Sequence, residues 1–218
     1  MDDEIDQLLK NLGLHRIREV FDRETARATA SGSSFRDFAA ALFREQYAWQ
    51  RQRSFEYRVK VSRLPERWSL DTFPFDQQPG VNAAVIRQLG ELDFVPKAEN
   101  IVFIGPTGVG KTGLAMGILL RALENGYRGL FISAQDLFDE MFASLADKST
   151  RKLLNQLKSF DVLLIDEMSY LTLKPEQTNI FFRLMEERYG RKATILTTNL
   201  DYDDWYGFLG RKEMVGAL

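Results

Sequence analysis

The sequence predicts an α/β protein in which helices sandwich a parallel sheet, with an all-helical segment before the sheet. Three observations predict this fold: apolar residues at helical spacing over 1–63, proline punctuation over 64–97, and short apolar runs alternating with helical spans over 98–218. We therefore expect a helical N-terminal domain (1–63), a linker (64–97) and an α/β core (98–218).

Composition narrows the possible functions before any motif is considered. The 218 residues are 44% hydrophobic and 28% charged, which is typical of a globular protein. No cysteine and a single histidine, His15, exclude a disulfide framework, a thiolate metal site and a poly-histidine metal site. The chain has no apolar run of 18 residues, and its first residues are acidic rather than basic, so we expect a cytoplasmic protein without membrane contact.

Three helices are expected in the N-terminal domain. In the first, apolar residues recur at i, i+3, i+4 and i+7: Ile5, Leu8, Leu9 and Leu12. Gly13 is placed to end that helix, and a second is expected over roughly 16–30. Ser34 can cap a third, which would reach about Val59.

The end of the third helix and the residues after it combine basic and aromatic side chains. Between Arg44 and Arg67 the sequence has seven basic and three acidic residues, with Tyr47, Trp49, Phe55 and Tyr57 interleaved and Trp68 directly after. Such a stripe is typical of contact with a phosphate backbone. It is equally typical of a solvated helix face whose aromatic residues enter the core. The candidate DNA-binding residues here are Arg51, Arg53, Arg58 and Lys60.

The linker should contain one short helix over about 82–92, and the core should contain four strands. The strand candidates are the apolar runs 101–104, 129–132, 162–165 and 194–197. Each is short, rich in β-branched or large apolar residues, and separated from the next by a helical span. This pattern predicts a buried parallel sheet built from βαβ units.

A phosphate-binding loop follows the first strand. Residues 105–112, Gly-Pro-Thr-Gly-Val-Gly-Lys-Thr, fit the phosphate-loop pattern between a strand and an amphipathic helix. Glycines allow backbone N–H groups to surround phosphates, and the helix N-terminus adds a favourable dipole. Lys111 should reach the β- and γ-phosphates, and the Thr112 hydroxyl should bind Mg²⁺. The predicted nucleotide-binding residues are Gly105, Pro106, Thr107, Gly108, Val109, Gly110, Lys111, Thr112 and Gly113.

Polar residues at two further strand ends complete the predicted site. Asp166 and Glu167 follow the third strand, which we expect to be a neighbour of the first, and ligands bind at that edge of parallel sheets. Asp166 would hold the metal, and Glu167 would polarise the attacking water, which favours hydrolysis over transfer. Asn199, after the fourth strand, could contact the water or γ-phosphate. The predicted catalytic residues are therefore Lys111, Glu167 and Asn199, with ATP or ADP and Mg²⁺ as cofactors.

These motifs together resemble the AAA+ ATPases of the initiator and helicase-loader clade, a group of P-loop NTPases. The resemblance is strongest to the IstB transposition helper ATPases and then to DnaC-like helicase loaders. It rests on the phosphate loop and on 164–171, with support from 195–200 followed by Trp205 and from 133–137. It extends over nearly the whole chain, although only the nucleotide motifs are specific.

The resemblance implies functions that the residues alone do not. IstB-like proteins form homo-oligomers that grip and bend duplex DNA in the ATP state and deliver it to a transposase. DnaC-like proteins deliver a replicative helicase instead, and a nucleotide-gated scaffold with incidental hydrolysis is a third alternative. The resemblance also implies an extra DNA-contacting helix over about 138–157. Its basic members would be Lys148, Arg151, Lys152 and Lys158; without the resemblance, this span is typical of an ordinary crossover helix pair.

The sequence departs from this clade near Leu218. There, an arginine finger and a fifth strand beside the first would follow the last helix, so we expect a truncated chain that binds ATP but hydrolyses it poorly. Arg211 and Lys212 lie too early to be the finger, and Arg188 and Arg191 are candidates for contact with a neighbouring subunit. The first strand would then be an uncovered edge.

Overall fold

The protein contains an N-terminal group of helices and an α/β unit built on a parallel sheet. The structure, a computed structural model, describes residues 2–169, 173–201 and 204. The chain divides into two compact units, Met1–Tyr57 and Arg58–Leu218. The expected domain boundaries at 63 and 97 stay predictions. Residues of the resemblance such as Tyr170 and Trp205 lie outside the described residues, as do Arg211 and Lys212, which the sequence analysis set aside as the finger.

The N-terminal unit is formed by α1 (Asp3–Asn11), α2 (His15–Ser31) and most of α3 (Phe35–Val61). All three helices were predicted. Their apolar faces meet in a small core of Leu9, Ile17, Val20 and Leu42. The Ser34 hydroxyl accepts a hydrogen bond from the Asp37 N–H at 3.2 Å, which is the predicted cap of α3.

A second cap in this unit comes from a distant side chain. Gln46 on α3 is buried, and its Oε1 accepts hydrogen bonds from the backbone N–H groups of Arg16 (3.0 Å) and Ile17 (3.2 Å). These donors belong to the first turn of α2, where N–H groups have no partner within the helix. Gln46 therefore fixes the start of α2 against α3.

The segment predicted as a linker with one short helix contains more structure than expected. Two 3₁₀ turns, Leu70–Thr72 and Phe75–Gln77, precede α4 (Ala83–Gly90) and α5 (Phe94–Lys97). Apolar side chains of the segment, such as Phe73, are buried. Short helical turns without a repeating apolar period carry no periodic signal, so the sequence reasoning missed them.

The four predicted strands are confirmed as β1 (Ile101–Ile104), β2 (Gly129–Ser133), β3 (Val162–Asp166) and β4 (Ala193–Thr198). They pair in parallel in the order β1-β4-β3-β2. The expectation that β3 is a neighbour of β1 is wrong, because β4 lies between them.

Helices cover both faces of the sheet, as predicted. The helices are α6 (Lys111–Glu124), α7 (Ala134–Ala146), α8 (Thr150–Leu157) and α9 (Pro175–Arg188). Alternate residues of β3 enter two cores: Val162 and Leu164 pack with α6, while Leu163 and Ile165 pack with α7 and α9. Burial on both faces explains the continuous apolar runs in the sequence.

The two outer strands of the described sheet are β1 and β2. On β1, the side chains of Val102 and Ile104 remain partly exposed. The expectation that the first strand is an uncovered edge stays a prediction. On β2, the Phe131 N–H donates to the Ser62 carbonyl at 2.7 Å, so a loop covers part of that edge.

Candidate nucleotide site

The phosphate loop connects β1 to α6 in a conformation that requires glycine. Gly108 and Gly110 have φ values of 86° and 87°, in the region that residues with a side chain rarely adopt. Gly110 is the N-cap of α6, so the free N–H groups of that helix face the loop. This is the backbone arrangement that binds phosphate.

Lys111 folds back onto this loop. Its Nζ donates to the carbonyls of Gly105 and Pro106, each at 2.8 Å. These two carbonyls satisfy the ammonium only in part, because it has three donors. A phosphate group entering the loop would give Lys111 a charged acceptor within its reach.

Asp166, the last residue of β3, is buried and lies against the first turn of α6. Its Oδ1 accepts hydrogen bonds from the Thr112 hydroxyl at 2.9 Å and from the Thr197 hydroxyl at 2.5 Å. A hydroxyl and a carboxylate side by side are oxygen ligands of the kind that Mg²⁺ prefers. Among the described residues no three acidic or histidine side chains cluster.

Glu167 follows Asp166 with a backbone that turns sharply out of the strand. Its φ is 57°, a left-handed conformation that is uncommon for a residue with a side chain. Its N–H donates to the Thr197 hydroxyl at 2.9 Å, and its side chain is exposed. The turn brings Glu167 to the edge of the sheet where the phosphate loop lies.

A cavity of about 420 Å³ brings these groups together. The phosphate loop and α6 contribute Thr107, Gly108, Gly110, Lys111 and Thr112. The ends of β3 and β4 and the residues after them contribute Glu167, Ser169, Thr197, Thr198 and Asn199. All three predicted catalytic residues therefore lie at one cavity. Sequence reasoning missed Ser169, for which no motif gave a signal, and gave no separate role to Thr197.

Four of the predicted nucleotide-binding residues do not line the cavity. Gly105 and Pro106 contribute carbonyls to Lys111, and Val109 lies beside Gly105. Gly113 is buried inside α6, where a Cβ atom would come within 3.1 Å of the Trp68 ring. Close packing explains that glycine.

A larger cavity, of about 580 Å³, lies elsewhere and contains no phosphate-loop residue. It is lined by α4, the 3₁₀ turns before it and the end of α6, and it holds charges of both signs. Arg121 lies 3.7 Å from the carboxylate of Asp71 and 3.6 Å from that of Glu124. Since this arginine already has acidic partners, volume alone gives no reason to place a nucleotide there.

Arg188 is not available to a neighbouring subunit, so its assignment as a possible finger is wrong. The side chain is 1% exposed, and its guanidinium donates to backbone carbonyls that include those of Leu157 (3.0 Å) and Phe160 (2.9 Å). Burial lowers its pKa to about 10. Arg188 therefore stabilises the interior of the fold through its hydrogen bonds, whereas Arg191 is exposed.

Candidate DNA-binding residues of α3 differ in their contacts. Arg53 stacks on Trp49 with its guanidinium 4.7 Å from the ring centroid, and Arg51 lies 5.9 Å from the Tyr47 ring centroid. Arg58 is half-buried, and its Nε donates to the Leu123 carbonyl at 2.8 Å. This hydrogen bond gives Arg58 a role in the fold.

The side chains of α3 also differ in their exposure and in the direction in which they leave the helix. Lys60 is exposed, and Tyr47 is 62% exposed rather than in the core. Residues 51 and 53 are about 200° apart around a helix with 3.6 residues per turn. One straight duplex therefore cannot contact both side chains in the same way.

The second basic group surrounds the turn between α7 and α8. Lys148, Arg151 and Lys152 are exposed, and Lys148 has a φ of 59° at the turn. Lys158 differs from them, because its Nζ donates to Glu187 at 3.1 Å. The span expected as one inserted helix is thus a helix pair, with three exposed cations at its turn.

Comparison with known proteins gives a consistent result. Residues 7–218 match the family model described as IstB-like ATP binding protein. A protein of Pseudomonas aeruginosa, named as an ATP-binding protein of insertion sequence IS21, is 32% identical over 99% of this chain and 81% of its own length. A protein of Geobacillus stearothermophilus, named likewise for insertion sequence IS5376, is 33% identical over 100% of this chain and 87% of its own length.

Solved structures agree on the fold. The DnaC helicase loader superposes with a TM-score of 0.59 and 25% identity over 68% of this chain and 90% of its own. AMPPCP-bound DnaA from Aquifex aeolicus gives a TM-score of 0.62 at 24% identity, over 71% of this chain and 48% of its own. The P-loop AAA+ fold is therefore confirmed.

None of the described helices is both long and apolar enough to cross a bilayer.

Proposed function

The chain belongs to the family of IstB-like ATP-binding proteins, and from this premise we propose that it is an ATPase that regulates DNA transposition. In the ATP state it assembles as a homo-oligomer on duplex DNA, remodels the DNA, and recruits or activates a transposase. The observation that carries the ATPase part is the meeting of Lys111, Thr112 and Glu167 around one cavity, with the buried Asp166 carboxylate hydrogen-bonded to Thr112. The names of the insertion-sequence relatives support the transposition part.

In this proposal the phosphate loop binds the triphosphate. Backbone N–H groups at the start of α6 contact the β-phosphate, and Lys111 leaves the carbonyls of Gly105 and Pro106 for the phosphate oxygens. Thr112 and Asp166 would hold Mg²⁺, which supplies positive charge at the β- and γ-phosphates. The buried position of Asp166 keeps that carboxylate directed at the Thr112 hydroxyl.

Glu167 is the proposed general base. A water oxygen attacks the γ-phosphorus, the bond from that phosphorus to the β,γ-bridging oxygen breaks, and the water proton passes to Glu167. ADP keeps the bridging oxygen, and inorganic phosphate leaves. Asn199 lines the same cavity and can contact the water or γ-phosphate, so it would distinguish ATP from ADP.

Two substitutions test the ATPase proposal. Lys111→Ala should abolish binding of a fluorescent ATP derivative, while Glu167→Gln should preserve binding and lower kcat by about 100-fold or more, as expected when a general base is removed. Lys97→Ala and Glu176→Gln are matched controls on exposed residues outside the cavity. The assignment of Glu167 is wrong if Glu167→Gln hydrolyses ATP as fast as Glu176→Gln.

The proposed DNA contacts are the exposed cations of α3 and of the α7–α8 turn. The turn presents Lys148, Arg151 and Lys152 beside the partly exposed Phe142 and Leu145. Cations that face solvent can neutralise phosphates, and the resulting affinity depends on salt concentration. Because basic side chains scattered along a helix contact the phosphate backbone better than base edges, we expect weak sequence preference.

Binding assays at several salt concentrations test this interaction. Reversing Arg151 and Lys152 to glutamate should weaken duplex binding and reduce the salt slope by about 0.9 for each phosphate that the variant no longer neutralises. Lys97→Glu changes an exposed charge elsewhere and serves as the control. If the double variant keeps both the wild-type affinity and the wild-type slope, the turn does not contact DNA.

The likeness to DnaC favours a second candidate, a loader that delivers a replicative helicase. Binding of matched duplex and single-stranded DNA, with a non-hydrolysable ATP analogue and with ADP, separates the candidates. Duplex-selective rings or filaments in the ATP state support the transposition helper, and preference for single strands supports the loader. Assembly on DNA that survives Lys111→Ala unchanged contradicts both nucleotide-switch proposals, since neither allows assembly without ATP.

A further inference from the structure

Thr197, the second-last residue of β4, contacts both acidic residues of the candidate site. Its hydroxyl donates to Asp166 Oδ1 at 2.5 Å and accepts from the Glu167 N–H at 2.9 Å. Its backbone carbonyl accepts from the Met168 N–H at 2.8 Å. With 1% of its surface exposed, Thr197 holds these hydrogen bonds where water cannot replace them.

The position of Thr197 in the sheet explains why a side chain takes this role. In the register of β3 with β4, Ile165 lies opposite Leu196, so Asp166 comes next to Thr197 where the paired strands end. The Thr197 hydroxyl accepts the hydrogen bond from the Glu167 N–H, in the place that a backbone carbonyl of the neighbouring strand would otherwise take. Backbone and side-chain hydrogen bonds at one residue thus accommodate the left-handed turn of Glu167, whose φ is 57°.

The same hydroxyl also fixes the carboxylate that faces the phosphate loop. Asp166 Oδ1 is shared between Thr112 on α6 and Thr197 on β4. A carboxylate held by two hydroxyls has little rotational freedom, and oriented ligands bind metal better than free ones. One buried hydroxyl therefore orients Asp166 and sets the direction in which Glu167 leaves the strand.

We propose that Thr197 is a positioning residue that orients Asp166 toward Mg²⁺ and Glu167 toward the attacking water. This inference rests on the proposed ATPase function, and it adds a requirement that the nucleotide motifs do not contain. The hydroxyl group itself, rather than the size of the side chain, is what the site needs. A valine of almost the same volume should therefore be defective, and a serine should not.

The first test measures nucleotide affinity, so it does not depend on turnover. The affinity of wild type and variants for a fluorescent ATP derivative is measured in EDTA and in excess Mg²⁺. Thr197→Val should bind as wild type does in EDTA, because the phosphate loop is unchanged. The increase in affinity on adding Mg²⁺ should fall by about ten-fold or more, the effect expected from removing a hydrogen bond to a charged group.

The second test divides the kinetic effect into kcat and KM. Thr197→Val should lower kcat by about ten-fold or more with a smaller change in KM, because a misdirected base affects the chemical step more than binding. Thr197→Ser should restore both the Mg²⁺ effect and kcat. Thr25→Val removes a comparable hydroxyl-to-carbonyl hydrogen bond from an exposed part of α2 and should match wild type.

The outcomes separate this inference from the proposed function. Wild-type behaviour of Thr197→Val in both tests overturns the positioning role, as does a Thr197→Ser variant as defective as Thr197→Val. If the wild-type chain binds ATP without hydrolysing it, the ATPase proposal fails and the Mg²⁺ effect still decides the role of Thr197. If Thr197→Val does not fold, Thr197→Ala, which has no hydroxyl and less bulk, is compared with Thr197→Ser.

Discussion

Replacement of Arg188 by methionine should strongly destabilise the α/β unit although it leaves the candidate site untouched. Arg188 ends α9 and is 1% exposed. Its guanidinium donates to four acceptors at the end of α8, between α8 and β3, and at the start of β4: the carbonyls of Leu157, Phe160 and Ala193 and the hydroxyl of Thr194. Methionine fills a similar volume but donates no hydrogen bond.

The magnitude follows from the acceptors that are left without a donor. Each buried acceptor left without a donor costs about 1.5 kcal/mol, so the four missing hydrogen bonds amount to about 6 kcal/mol. Removing the buried charge offsets about 3 kcal/mol of this destabilisation, because burial lowers the pKa of Arg188 to about 10 and so disfavours the charged form. We expect the free energy of unfolding to fall by about 3 kcal/mol, a large part of the stability of an ordinary domain.

Urea denaturation of the full chain, followed by circular dichroism, measures this fall in stability. Arg183→Met is the matched control, because Arg183 lies on the same helix with an exposed side chain paired to Glu187. That pair should contribute less than about 1 kcal/mol. If Arg188→Met unfolds at the same urea concentration as Arg183→Met, the four acceptors do not depend on the guanidinium and the reasoning is refuted.

Three further predictions concern separate parts of the chain. Gly110→Ala should lower affinity for a fluorescent ATP derivative by about ten-fold or more, since alanine is strained at a φ of 87° and its Cβ would lie 3.0 Å from the Phe73 ring. Burial alone would raise the pKa of Asp161, but its hydrogen bond from Lys192 helps lower that pKa below its ordinary value. Asp161 therefore stabilises the fold above about pH 4 and loses this effect as the pH falls, so urea titrations should show Asp161→Asn less stable than wild type at pH 7 and the difference shrinking at pH 3. Gln46→Leu should cost about 1–2 kcal/mol and speed hydrogen exchange in the first turn of α2, because two N–H groups lose their acceptor; unchanged exchange there would show that the cap is unnecessary.

The sequence predicted the strands well because burial on both faces produces continuous apolar runs. β3 and β4 are buried along their whole lengths, and both begin and end within a residue of the predicted bounds. The order of the strands could not be predicted in the same way. Burial on both faces indicates that a strand is central, but β3 and β4 are both buried along their whole lengths, so only their pairing shows that β4 lies next to β1.

The residues of the candidate site were predictable where a motif fixes both residue type and spacing. Lys111 and Thr112 follow from the phosphate loop, and Glu167 follows from its place after a strand. Thr197 could not be singled out, since a threonine near the end of a strand is common and its role depends on two hydrogen bonds to another strand. Sequence motifs identify the residues that contact the ligand, but they do not identify the residues that position those groups.

Arg188 shows the same limit for the interior. A basic residue at the end of an amphipathic helix is normally exposed, because cations favour helix C-termini and water. The spacing offered a contrary signal: Phe181, Leu184 and Met185 precede it by seven, four and three residues, and all three are buried. Helical periodicity therefore places Arg188 on the buried face, a signal that the sequence analysis did not use.

The segment 64–97 shows why composition and function have to be considered together. Its prolines predict a linker, yet its side chains pack against α6 at positions where that helix has glycine. A Cβ at Gly117 would lie 2.7 Å from Leu70, and one at Gly110 would lie 3.0 Å from Phe73. Since Gly110 belongs to the phosphate loop itself, Phe73 lies directly against that loop. The segment is therefore part of the nucleotide-binding unit, and substitutions in it should be assayed for ATP affinity as well as for stability.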